Sequence, residues 1–86
     1  MNYLLTCTTN HEKGGTNFDI LVTSEDFSRN TVPDFMEEIQ TKKSDSGVVI
    51  RFNHKEYSLT PEEHSIAIPF GDNDSIDIII SKVKES

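Results

Sequence analysis

The polar and apolar positions of this chain fall into short segments. The most apolar is Ser75-Ile76-Asp77-Ile78-Ile79-Ile80-Ser81, stopped on its N-terminal side by the acidic turn Gly71-Asp72-Asn73-Asp74. A run of this length, rich in β-branched side chains, predicts a strand. Successive side chains of a strand point to opposite faces, so Ile76, Ile78 and Ile80 share one face while Asp77 and Ile79 share the other. One face wholly apolar and the other half apolar suits the middle of a sheet.

Upstream, residues 3–9 place Tyr3, Leu5 and Cys7 on one face, and residues 17–23 do the same with Phe18, Ile20 and Val22. The polar stretch between them carries Gly14-Gly15 and predicts a hairpin loop. A polar connection over 24–30 leads to a predicted helix. Thr31 stands as its N-cap, Pro33 in its first turn and Asp34 three residues after the cap. Val32, Phe35, Met36 and Ile39 recur at the spacing of one helical face, with Asp34, Glu37 and Glu38 toward water. Lys42-Lys43 complement the C-terminal end of the helix dipole, and Ser44-Asp45-Ser46-Gly47 ends the helix. Residues 48–52 predict a third strand with Val48, Ile50 and Phe52 inward, and Asn53-His54 turns it into a short strand around 56–59. Thr60-Pro61-Glu62-Glu63 reads as the capped start of a single helical turn. Ile66 and Ile68 then plug the core ahead of the last strand, and a short polar tail begins at Lys82. This order gives one α+β domain over residues 1–86, with the helix laid across a mixed four- or five-stranded sheet.

Three stretches also carry a family resemblance. The first is residues 30–42, with the Thr31 cap, the apolar anchors and the closing Ile39-Gln40-Thr41-Lys42. The second is Ile50-Arg51-Phe52-Asn53-His54-Lys55-Glu56-Tyr57, an aliphatic–x–Phe before a tight turn, and the third is Asp72-Asn73-Asp74-Ser75-Ile76-Asp77-Ile78. Together they resemble a ubiquitin-like β-grasp domain, with Arg51-Phe52 and the acidic turn most similar to SUMO-like members. The resemblance implies a last strand at the sheet centre, parallel to the first and antiparallel to the third, with Arg51 facing Asp77 across strands. It also implies a protein partner, such as a SUMO-type conjugating enzyme docked non-covalently on the acidic turn. The chain departs from the family in three ways. Its tail lacks the terminal Gly-Gly of conjugated members. Arg51, Asp77 and Ile79 stand where ubiquitin has an apolar patch. Asp19 and Leu21 stand where SUMO-like domains carry lysines, and Asn53 where they carry an acid. A non-conjugated relative is the expectation.

Composition narrows the function classes. Fifteen acidic against eight basic residues give a net charge of −7 and, with 34% hydrophobic residues in 86, describe one polar domain with a single core. That charge repels nucleic acid and anionic membrane and favours basic protein surfaces. The lone Cys7 fits a reducing compartment, and without a secretion signal an intracellular location is expected. Alternation points Cys7 into the core, away from use as a nucleophile with His11. His11, His54 and His64 lack metal-ligand spacing. Glu37-Glu38 and Glu62-Glu63 are adjacent pairs whose side chains diverge.

The expected function is therefore a non-enzymatic ubiquitin- or SUMO-like interaction module without metal or cofactor. It would bind through an open sheet face and the acidic turn, using Arg51, Asn53, Asp72, Asp74, Asp77 and Ile79. The alternative is a small acidic inhibitor or mimic, phage or viral for example, that occupies the basic groove of a nucleic-acid enzyme.

Overall fold

The computed structural model describes residues 2–10 and 14–83. Among them there is no helix, and the chain folds as eight antiparallel strands: β1 (Asn2–Asn10), β2 (Thr16–Val22), β3 (Ser28–Arg29), β4 (Ile39–Lys43), β5 (Val48–Phe52), β6 (Lys55–Leu59), β7 (Ser65–Pro69) and β8 (Ser75–Val83). They form two four-stranded sheets, ordered β2-β1-β8-β7 and β3-β4-β5-β6. The inward side chains of both sheets join one buried cluster, which makes the molecule a β-sandwich.

The first sheet is built as its alternation dictates. Tyr3, Leu5 and Cys7 pair across β1–β2 with Val22, Ile20 and Phe18. Across β1–β8, Leu5, Cys7 and Thr9 meet Ile80, Ile78 and Ile76. All of these are buried except Phe18, which is half-buried at the rim. The strand expected over 75–81 exists, runs on to Val83 and lies inside the sheet, between β1 and β7. Ile66 and Ile68, on β7, pair with Ile78 and Ile76. His11, Glu12 and Lys13 of the expected hairpin loop, and the end of the expected tail, Lys84 to Ser86, lie outside the described residues.

The α+β, β-grasp expectation is overturned at residues 31–43. Pro33 and Asp34 begin a tight turn, closed by Met36 N donating to Pro33 O (3.0 Å). The same Pro-Asp signals that start a helix also start a type I turn. Ile39–Lys43 is strand, paired with β5 so that Ile39 faces Phe52 and Thr41 faces Ile50. Ile39 and Thr41 are buried while Gln40 and Lys42 lie on the other face, a period of two that a helix could not satisfy. Asn30 fixes this arrangement. Its Nδ2 donates to Ile39 O (3.1 Å) and Thr41 Oγ1 (3.1 Å), and its backbone N also donates to Ile39 O (3.2 Å). A short helix is marginal in water on propensity alone, and here the ladder to β5 outcompetes it.

Ser44-Asp45-Ser46-Gly47, expected to stop a helix, is instead the hairpin loop from β4 to β5, with Ser44 N donating to Gly47 O (2.9 Å). Glycine is required there, because a Cβ on Gly47 would run into the Leu59 carbonyl oxygen. The sheet directions also differ from those the resemblance implies. β8 is antiparallel to β1, and β5 belongs to the other sheet. Other local expectations match: Asn53-His54 forms the two-residue turn between β5 and β6, both residues left-handed at φ 53° and 63°. Thr60 and Glu63 cap each other, Glu63 N donating to Thr60 Oγ1 (3.3 Å) and Thr60 N to Glu63 Oε1 (3.3 Å), around a turn that no helix continues.

Two outcomes check this fold. Ile39 is 1% exposed, so Ile39→Ala should cost about 2–4 kcal/mol, read as a shift in the urea midpoint; a loss below about 1 kcal/mol would contradict its burial between the sheets. His54 is exposed at a left-handed position, so His54→Gly should stabilise by about 0.5–1 kcal/mol, read as a higher Tm.

Candidate functional site

The six expected partner-binding residues do not form one surface. Arg51 alternates with buried Ile50 and Phe52 and so points outward from the second sheet, whereas Asp77 alternates with buried Ile76 and Ile78 and points outward from the first. They stand on opposite outer faces of the sandwich, and the Arg51–Asp77 cross-strand pair does not exist. Arg51 sits opposite Gln40 and Glu56, with Nη1 donating to Gln40 Oε1 (3.4 Å) and Nη2 paired with Glu56 Oε2 (3.2 Å). Asp77 sits opposite Thr8 and Ala67, and Oδ2 accepts from Asn10 Nδ2 (3.3 Å). Asp72 and Asp74 lie in the loop between β7 and β8, closed by Phe70 N donating to Asp74 O (3.1 Å). Phe70 meets Phe52 edge-on, ring centroids 5.9 Å apart, so the Asn53 turn and the acidic loop share one end of the molecule. The structure thus groups Asp72, Asp74 and Asn53 at an end, Asp77 and Ile79 on one face, and Arg51 on the other.

The outer face of the second sheet is occupied by its own contacts. Phe27 lies under Arg51, whose guanidinium carbon is 3.9 Å from the ring centroid, and Lys42 Nζ stands 4.8 Å from the same ring. Arg29 Nε pairs with Glu38 Oε1 (2.8 Å), and Gln40 Nε2 donates to Glu38 Oε2 (3.0 Å). Cations on this face therefore sit beside a ring or a carboxylate of the same chain.

On the first sheet's outer face the pattern is different. Register places Leu21 beside Leu4, and Leu4 one row from the Thr6–Ile79 pair. Leu21 is 55% and Ile79 40% exposed, two of the three large apolar side chains open to water among the described residues, Phe35 being the third. Asp19, next to Thr6, and Asp77, next to Thr8, flank this strip. Ile79 and Asp77 are expected from the sequence but the strip is not, because only the pairing of β1 with both neighbours brings Leu21 and Leu4 to them. The available signal was Leu21 itself, an apolar residue at an outward position of β2.

Among the described residues no group of three or more His, Cys, Asp or Glu side chains is placed to hold a metal ion. Cys7 is fully buried beneath the sheet, its Sγ facing Leu5 O at 3.9 Å. Burial first, and the nearby Asp19 carboxylate second, push its thiol up to about 12.

That shift has a checkable sign. The folded thiol holds its proton where the unfolded thiol, at about 9.0, loses it, so the contribution to stability is complete below pH 9 and is lost as pH rises toward 12. Unfolding free energy of the wild type should fall more steeply over pH 9–12 than that of Cys7→Ala. Equal slopes would mean the thiol is not shielded.

No protein-family model, curated protein or solved structure matches the chain.

Proposed function

We propose that this protein is a non-enzymatic interaction module that binds a protein partner through the outer face of its first sheet. The observation that carries the reading is the strip Leu21–Leu4–Ile79, set between Asp19 and Asp77 on a face whose strands hold a single described base, Lys82. Apolar side chains in the centre with carboxylates at the margin form the general anatomy of a protein interface: the apolar area supplies affinity, the charges supply steering and choice of partner. The partner is a protein with a basic-rimmed apolar surface, in keeping with the net charge of −7. The SUMO-type conjugating enzyme is not part of this reading, since the helix and strand order that would present such a contact are absent. An acidic inhibitor of a nucleic-acid enzyme would present a continuous row of carboxylates. Here the acids are divided between faces, and Glu38 and Glu56 are paired with Arg29 and Arg51.

The test is comparative capture from lysate of the source cells. Wild type and Val49→Ser, an apolar-to-polar change on the opposite outer face, should retain the same protein. The Leu21→Ser/Ile79→Ser double variant should lose it, with affinity falling about ten- to hundredfold. Equal retention by all three would overturn the assignment of the face, and circular dichroism on each variant separates lost binding from lost fold.

A further inference from the structure

Each sheet of this sandwich has two edges, and three of the four edge strands carry a device that discourages a further strand. β7 is five residues long and ends in Pro69, β3 is two residues long, and β6 opens on exposed, oppositely charged Lys55 and Glu56. β2 is neither short nor closed by proline, and its one charge is Asp19. It runs for seven residues, Thr16-Asn17-Phe18-Asp19-Ile20-Leu21-Val22, without proline, glycine or lysine. Among the described residues its ladder is to β1 alone, and no other backbone hydrogen bond joins it to another segment. Beyond Val22 the chain turns toward the second sheet, where Ser24 O accepts from Lys43 N (2.7 Å), which leaves the open edge over residues 16–21.

We propose that this edge receives an extended segment of the partner, added antiparallel to β2 as a fifth strand of the first sheet. The inference rests on the interaction reading above and specifies how the partner engages. Backbone hydrogen bonds to the open edge would give affinity, and alternate side chains would give selectivity. Outward, the incoming strand meets Leu21 and Asp19; inward, it meets half-buried Phe18 at the rim of the core. Cross-strand pairing then asks for an apolar residue opposite Leu21, a Lys or Arg opposite Asp19 and an apolar residue opposite Phe18. Read in the partner's own direction, the motif is apolar–x–Lys/Arg–apolar.

A second copy of this chain does not meet that demand. Antiparallel self-pairing centred on Asp19 sets two carboxylates opposite each other. Sliding by two residues places Asp19 opposite Asn17 or Leu21, so no such register supplies both the cation and the apolar neighbour. Two chains of charge −7 also repel. The occupant is a basic, extended segment of a different protein.

The experiment selects peptides from a displayed random library on the full chain, then measures a synthetic copy of the most enriched one. Enrichment of apolar–x–Lys/Arg–apolar is expected. Asp19→Lys should weaken that peptide about three- to tenfold, and replacing the peptide's cation by Glu should restore binding to the variant, which a purely structural role of Asp19 would not do. N-methylation of peptide amides that face β2 should abolish binding while the alternate amides tolerate it, and hydrogen exchange of β2 amides should slow in the complex. A peptide that binds but tolerates methylation everywhere and protects no β2 amide overturns strand addition and leaves docking on the sheet face intact. An unenriched library also overturns strand addition. The interaction reading itself falls only if the Leu21→Ser/Ile79→Ser variant captures the partner as well as wild type does.

Discussion

The pairing of the first described strand with the last holds this molecule together. β1 and β8 match over nine positions, from Asn2 with Val83 to Asn10 with Ser75, and both lie inside the same sheet. Closing a loop of roughly 65 residues costs about 4 kcal/mol of chain entropy by the logarithmic rule. Burial of Ile76, Ile78 and Ile80, each contributing about 1.5–3 kcal/mol, is enough to offset that closure. Every other strand of the first sheet depends on this pair: β2 has only β1 to lie against, and β7 only β8. A fold closed by contacts this far apart in sequence belongs with the slower-folding all-β proteins.

From that closure follows the separation of the two outer faces. β2 leaves the first sheet and its continuation crosses to the second as β3, with Asn30 clamping the crossing to Ile39 and Thr41. The second sheet thereby gains Phe27 and Arg29 against its outer side, where Arg29, Lys42 and Arg51 each sit beside a carboxylate or a ring of the same chain. Exposed pairs of this kind add little stability, typically about 0–1 kcal/mol each. Their effect is on surface character: one face has its charges matched, while the other presents apolar side chains between carboxylates. A face whose cations and carboxylates are matched has less to offer a partner than one with exposed apolar side chains between carboxylates. The functional reading follows from that contrast.

Much of the inside of the protein was legible before any strand was paired. Alternation alone placed Tyr3, Leu5, Cys7, Ile20, Val22, Val48, Ile50, Phe52, Ile76, Ile78 and Ile80 in the core, and all are buried. The Asn53-His54 turn and the Thr60–Glu63 cap were legible for the same reason: each depends on residues within three positions of one another. Residues 31–43 were misread because two local signals conflict there. Thr31, Pro33 and Asp34 announce a helix start and a turn equally well, and Ile39-Gln40-Thr41-Lys42 fits either a helix face or a strand.

Local sequence thus determined which side chains turn inward, where the chain reverses, and that the surface is acidic, because side-chain alternation, turn chemistry and charge are properties of neighbouring residues. Only the tertiary structure decided the state of Ile39–Lys43, since a ladder with β5 and the Asn30 clamp tip a balance that propensity leaves nearly even. It alone decided which strands are neighbours and in which direction. That choice sent Arg51 and Asp77 to opposite faces and brought Leu21, Leu4 and Ile79 together. Strand pairing is won by the burial of a whole shared core, a quantity no single segment contains, and the candidate site is made of positions that only this pairing brings side by side.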